Sequence, residues 1–206
     1  MKQNLKIAFL MTIVTTVLLG IIYPLVVTGL AQAMFHDKAN GQLVSRDGAL
    51  VGSRIIGQEF TGAEYLDSRP SAAGNGYDAA NSVGTNLGPT NSKLIDRVSS
   101  DVARLHSENP ARQVPIDLVT TSASGLDPDI TPAAAEFQVP RIARERGIAE
   151  GEVRTIIRQY TYGRQLGLLG EPRVNVLEVN LALDATAPAR SMQTSSLAKG
   201  GSTARR

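Results

Sequence analysis

The sequence predicts an α+β protein: a single N-terminal transmembrane helix followed by one soluble mixed α/β extracytoplasmic domain. Three observations carry that expectation. Residues 7–35 (IAFLMTIVTTVLLGIIYPLVVTGLAQAMF) contain no charged side chain, and about 20 apolar residues already span a ~30 Å hydrocarbon core. Beyond that run, apolar residues recur at helical spacing in 92–106, 131–146 and 150–162. Between them lie short apolar pieces bounded by Gly, Pro, Asn and Asp, the pattern of strands.

The anchor comes first. Its polar residues are Thr12, Thr15, Thr16, Thr28, Tyr23 and Gln32, scattered rather than gathered on one face. A Thr hydroxyl can return a hydrogen bond to a preceding carbonyl, so it costs little in lipid. Ala31-Gln32-Ala33 has the small-x-small form of a signal-peptidase site. The apolar region, however, far exceeds the ~7–15 residues of a signal-peptide core, so a retained anchor is expected. Pro24 should kink it, because proline lacks an N–H and crowds the previous turn. Lys2, Lys6 and the amino terminus precede the span, and positive flanks stay in the cytoplasm. The expected organisation is therefore a cytoplasmic N-terminus at 1–6, a transmembrane helix at 7–34, a periplasmic α+β domain at 35–184 and a disordered tail at 185–206. Thr12, Thr16, Gly20 and Gly29 are small enough to let a second membrane helix approach.

The outer region opens with the turn signal Asn40-Gly41. Residues 43–58 carry apolar pairs broken by Asp47-Gly48 and Gly52, which predicts a hairpin or two short strands. Residues 62–91 are rich in Gly, Asn, Ser and Ala and show little periodicity. A loop this long in a compact domain is usually functional or disordered. Tyr65, Leu66, Tyr77 and Leu87 are available to pin it, so an ordered contact loop is expected, and it is the candidate partner surface. A helix over 92–106 places Leu94, Ile95, Val98, Val102 and Leu105 on one face, with Thr90, Asn91 or Ser92 as cap. VPIDLVTT at 114–121 predicts a strand. Thr131-Pro132 predicts a cap and first helical residue for a helix to Arg146 that stops at Gly147, kinked or divided by Pro140. A second helix over 150–162 buries Val153, Ile156, Ile157 and Tyr160 and completes a helical hairpin. RVNVLEVNLAL at 173–183 predicts the clearest strand, with a change of phase after Val176 that suggests a bulge or burial on both faces.

Composition narrows the chemistry. The 206 residues include no Cys and no Trp, which excludes disulfides, Cys-ligated zinc, iron–sulfur clusters and thiol catalysis. Lys2 and Lys6 contribute +2 and the four cations after Asp184 contribute +4, so the chain's net +2 leaves −4 for residues 34–184. A mildly acidic domain without a basic stripe argues against nucleic-acid binding. His36 and His106 are the only histidines, and neither suggests a triad. Asp127 and Asp129 flank Pro128; such a pair could bind a hard cation but more often makes turns and caps, the reading adopted. SASG at 122–125 precedes a helix N-terminus, where anions bind, yet it lacks the Gly-Lys-Ser/Thr ending of a phosphate loop.

Eight blocks together resemble the C subunit of the Kdp-type potassium-transporting P-type ATPase. They are GQEFTG at 57–62, RPSA at 69–72, SVGTNL at 82–87, DLVT at 117–120, SASGLD at 122–127, ITP at 130–132, QVPRIA at 138–143 and VNVLEVNLALD at 174–184. The resemblance runs through Asp184 and includes the anchor with its Tyr23-Pro24. Asp129 departs from it, standing where many relatives carry His or Asn.

The resemblance implies a non-catalytic accessory subunit of an inner-membrane complex that takes up potassium at the expense of ATP. Its partners would be a channel-like potassium-binding subunit, a P-type ATP-hydrolysing subunit and a small membrane subunit. The family is described as an assembly factor and catalytic chaperone that raises the ATP affinity of the hydrolysing subunit. Ser124, Gly125 and Gln138 lie in blocks resembling a nucleotide-signature sequence, which makes them the candidate cofactor-binding residues; no catalytic or metal-ligating residue is expected. No cofactor is expected to bind firmly, and ATP enters only through the complex. The charge flanks put the domain on the side away from ATP, which favours a structural or allosteric role over contact. The alternatives from the residues alone are a membrane-anchored periplasmic binding module with another partner, and a periplasmic enzyme.

Overall fold

A computed structural model describes residues 1–46 and 48–186. They form two compact units, Met1–Val51 and the chain from Gly52 onward.

The first unit is dominated by one helical run, Lys2–Met34, of mean hydropathy 2.3 over its most apolar window and with none of that window buried. It comprises α1 (Lys2–Thr15), a π-helical stretch (Thr16–Ile22) and α2 (Tyr23–Met34). The expected disturbance at Pro24 takes this form. An α-helical Pro24 would press its ring on the carbonyl of Gly20. Instead the preceding turn widens, and Tyr23 N donates to Leu18 O, five residues back. Thr12 and Thr15 donate their hydroxyls to Ala8 O and Met11 O at 2.9 and 2.8 Å, so both hydroxyls are satisfied within the helix. A short α3 (His36–Ala39) follows, then the strands β1 (Leu43–Arg46) and β2 (Ala49–Ser53), which pair as the sequence led us to expect.

In the second unit, residues 54–91 contain no helix or strand, yet Leu66 and Ala73 are fully buried. Helix α4 (Ser92–Glu108) is capped by Asn91, whose side chain accepts from Lys93 N. Helix α5 (Pro132–Arg146) is capped by Thr131, runs unbroken through Pro140 and ends on left-handed Gly147. It is the core helix: Ala134, Ala135, Val139 and Ile142 are wholly buried. It packs against α6 (Glu150–Gln159), which contributes Val153, Ile156 and Ile157. A three-stranded antiparallel sheet, ordered β3-β5-β4, joins β3 (Asp129–Ile130), β5 (Arg173–Asn175) and β4 (Thr161–Tyr162). Its register sets Ile130 and Thr161 on either side of Val174.

Three expectations are corrected. Residues 114–121 form no strand; Ile116–Leu118 is a 3-10 turn that buries Leu118 and Val119 and aims Asp117 Oδ2 at Thr131 N, 2.8 Å away. Pro115, at φ −65°, starts that turn. The helix predicted over 150–162 ends at Gln159, because Thr161 and Tyr162 are taken into the sheet beside β5. The strand predicted over 173–183 ends at Asn175 and becomes helix α7 (Val176–Thr186). Asn175 Oδ1 accepts from Glu178 N at 3.1 Å and so caps the helix. The buried set Val176, Leu177, Val179, Asn180 and Leu183 has helical spacing; the apparent change of strand phase was that spacing. Helix α7 also takes up Ala185 and Thr186, and the rest of the expected tail lies outside the described residues.

Candidate functional site

The loop at 62–91 is held by side chains from α5 and α7. Asn180, on the buried face of α7, accepts from Leu66 N at 2.7 Å and donates to Leu66 O at 2.9 Å. One residue on, Gln138 of α5 does the same for Asp67, accepting from its N at 2.8 Å and donating to its O at 3.3 Å. Each amide thus stands in for a neighbouring β-strand and pairs both backbone groups of a residue that has no strand beside it. Gln138 also donates to Ala134 O at 3.3 Å and accepts from Arg141 Nη2 at 2.6 Å. Its two lone pairs and two N–H groups are then all used.

Two arginines of α5 extend the grip. Arg141 Nη1 donates to Ala63 O and Tyr65 O at 2.6 and 3.0 Å, and Nη2 meets Asp67 Oδ2 at 3.0 Å. Arg146, whose side chain is wholly buried, pairs with Asp184 at 3.0 Å, donates to Glu64 O at 2.8 Å and lies 5.0 Å from the Tyr65 ring centre. Tyr65 returns its hydroxyl to the same Asp184 at 3.2 Å. Burying two charges is costly unless they are paired and hydrogen-bonded; here both are.

The second half of the loop rests on residues 122–127. Arg69 Nη1 pairs with Asp127 at 3.1 Å, Ser71 donates to Gly125 O at 2.6 Å, and Ser82 donates to Ser124 O at 3.0 Å. Ser124 Oγ accepts from Leu126 N at 3.1 Å. Gly125 has φ +68°, and a Cβ there would lie 2.6 Å from Val83 O and 2.8 Å from Ala73 N. On the other side, Gly57 N donates to Leu126 O at 2.8 Å. Ser124 and Gly125 therefore hold residues 71–83, and Gln138 holds residue 67. The structure joins these three candidates through one loop, and no hydrogen bond links Gln138 to the other two. The α-carbon of Gly125 is thus closed in by the backbone of Val83 and Ala73. The acid pair follows the structural reading: Asp127 Oδ1 accepts from Asp129 N at 3.1 Å, and Asp129 meets Arg173 at 2.8 Å.

Between the loop and α4 lies a cleft of about 490 Å³ whose charged lining is Glu59, Asp67, Asp101, Glu108, Arg104 and Arg141. Its arginines face acids, Arg104 to Glu108 at 2.8 Å and Arg141 to Asp67 at 3.0 Å. Burial raises the Asp67 carboxyl above its usual range, with Arg141 opposing the shift. Tyr77 donates to Arg69 O at 2.6 Å, and burial, with Asp67 and Glu59 nearby, pushes its hydroxyl up to about 12. Among the described residues no group of three or more His, Cys, Asp or Glu is placed to hold a metal ion. His36 and His106 are both exposed.

Sequence reasoning missed Asn180, Arg141, Arg146 and Asp184 as holders of the loop. The available signal was polar residues at otherwise apolar positions of amphipathic helices.

A family model described as "K+-transporting ATPase, c chain" matches residues 5–185. A "Potassium-transporting ATPase KdpC subunit" of Koribacter versatilis is 64% identical over 188 residues, covering 91% of this chain and 97% of that one. One from Acidobacterium capsulatum is 57% identical over 182 residues, with 88% and 98% covered. One from Rhodopseudomonas palustris is 51% identical over 198 residues, with 90% and 98% covered.

Proposed function

The chain belongs to the KdpC family, the c chain of the K+-transporting ATPase, and from that membership we propose that it is a non-catalytic accessory subunit acting from the periplasmic side. The observation that carries the reading is the family match across residues 5–185, which spans anchor and outer domain alike. Its N-terminus lies in the cytoplasm, in keeping with Lys2 and Lys6 before the span. Its partners are the channel-like potassium-binding subunit, the ATP-hydrolysing subunit and the small membrane subunit.

In this reading the subunit supports assembly and raises ATP affinity without touching the nucleotide. A coupling free energy between distant sites is sufficient: the domain need only bind one state of its partners better than another. The saturated bonding of Gln138 and the close packing at Gly125 support that route over contact. Ser124, Gly125 and Gln138 then affect nucleotide handling through the loop they hold. The loop's outward residues, Ala79 and Ala80 among them, form the partner surface.

Affinity purification of the tagged full-length chain from membranes tests this. Potassium-stimulated ATP hydrolysis should co-purify with it. Recovery of the chain with other partners and no such activity would instead support a membrane-anchored binding module.

A further inference from the structure

The widened turn before Pro24 deprives one backbone carbonyl of its helical donor. In an α-helix Leu19 O would accept from the amide of residue 23, and in a π-helix from that of residue 24. Tyr23 N donates instead to Leu18 O, and Pro24 has no N–H. Both regular donors of Leu19 O are therefore lost. The α-helical donor of Gly20 O would likewise have been Pro24.

The position makes this loss costly. Leu19 lies two residues from the middle of the charge-free run 7–35, about 3 Å along the helix axis. At that depth acyl chains offer no donor, so a carbonyl facing lipid must be met by protein. The span has one remedy of its own elsewhere: Thr12 and Thr15 return their hydroxyls to Ala8 O and Met11 O, one turn back. At Leu19 that remedy fails. The residues one turn further on are Ile22 and Tyr23. The first has no hydroxyl, and the second carries its hydroxyl at the far end of a rigid ring.

Gly20 opens the approach. Among the described residues, the only side chain within 4 Å of a Cβ built there is that of Thr16, with Cγ2 at 3.9 Å. Packing within this chain therefore does not call for glycine, whereas a bare Cα beside the carbonyl lets a second helix come close. The carbonyl selects its occupant by chemistry. It needs a hydrogen-bond donor, which lipid tails and a wholly apolar helix face both lack. A second copy of this span is a poor supplier, because three of its six polar side chains are spent within their own chain. Those are Thr12, Thr15 and Gln32, whose amide donates to Asn40 Oδ1 at 3.2 Å. We propose that Leu19 O, reached over Gly20, is a mid-membrane acceptor for a Ser, Thr, Asn or Gln side chain on a membrane helix of another subunit of the K+-transporting ATPase. The proposal rests on the reading of this chain as a subunit of that assembly.

The test uses the full-length tagged chain expressed with the other subunits, and measures potassium-stimulated ATPase recovered per tagged chain. Tyr23→Thr supplies a hydroxyl one turn after Leu19, which meets the carbonyl from within while Pro24 stays in place. Tyr23→Val has the same shape without the hydroxyl. Recovery with the Thr variant should be about fivefold below that with the Val variant. Equal recovery with the two would overturn the proposal alone; no such activity with the wild-type chain would overturn the subunit reading and the proposal with it. If Tyr23→Val is itself not recovered, Ile22→Thr against Ile22→Val makes the same comparison. A diazirine residue in place of Thr16 identifies what covers the site. Adducts identified by mass as another ATPase subunit support the proposal, whereas adducts only with lipid or with a second copy of this chain overturn it.

Discussion

Gln138 and Asp67 complete each other: the buried side-chain amide of Gln138 takes both the N–H and the C=O of Asp67, at 2.8 and 3.3 Å. With Asn180 bound in the same way to Leu66, this pairing turns an irregular segment into a fixed surface. Replacing Gln138 with Leu keeps the volume and strands two part-buried backbone groups. Each should cost about 1–3 kcal/mol, a loss to be read by thermal unfolding of the detergent-solubilised full-length chain. Unfolding at the wild-type temperature would mean that the loop is held by other contacts.

Gly125→Ala addresses the other end of the loop. The new Cβ would meet backbone atoms at Val83 and Ala73, which cannot swing aside, and would also sit at positive φ. The substitution should lower stability by about 2 kcal/mol or more. Gly151→Ala is the control, because nothing lies within 4 Å of its added Cβ; it should be neutral or slightly stabilising. Equal effects at the two sites would contradict the packing described for residues 122–127.

Asp67 and Asp129 give a pH signature with a definite sign. Burial, the leading cause at both, raises their carboxyl groups above the ordinary 3.8. A carboxyl raised on folding binds protons more strongly in the native state, so stability falls as pH rises from 3.8 through the folded value. Asp67→Asn should flatten that slope, measured as denaturant midpoints across the acid range. A slope unchanged in the variant would remove Asp67 as its source. At the alkaline end Tyr77, raised by burial, and Tyr162, raised chiefly by its hydrogen bond to Glu178, should titrate at about 12 by ultraviolet absorbance.

Much of this arrangement was legible in the sequence. The anchor, the β1–β2 pair, α4 and the capped α5 follow from charge-free length, turn residues and apolar spacing, which are local signals. Residues 173–183 misled because Val and Leu at mixed spacing fit a two-sided strand as well as a buried helix. The deciding group was Asn175, whose side chain caps α7. Residues 114–121 misled because β-branched content outweighed Pro115 and the distant partner that Asp117 finds in Thr131. The candidate site was legible only in part. Gln138, Ser124 and Gly125 stood out by resemblance, but their common attachment to the loop depends on contacts between residues far apart in the chain, which no local pattern encodes.

The central claim is that this held loop meets the other subunits of a K+-transporting ATPase. Its most direct test places Arg at the exposed Ala79 and Ala80 and measures potassium-stimulated ATPase recovered with the tagged full-length chain. The account predicts unfolding at the wild-type temperature with recovery reduced about tenfold, since an unpaired charge buried at an interface is strongly disfavoured. Full recovery with both substitutions in place would contradict it.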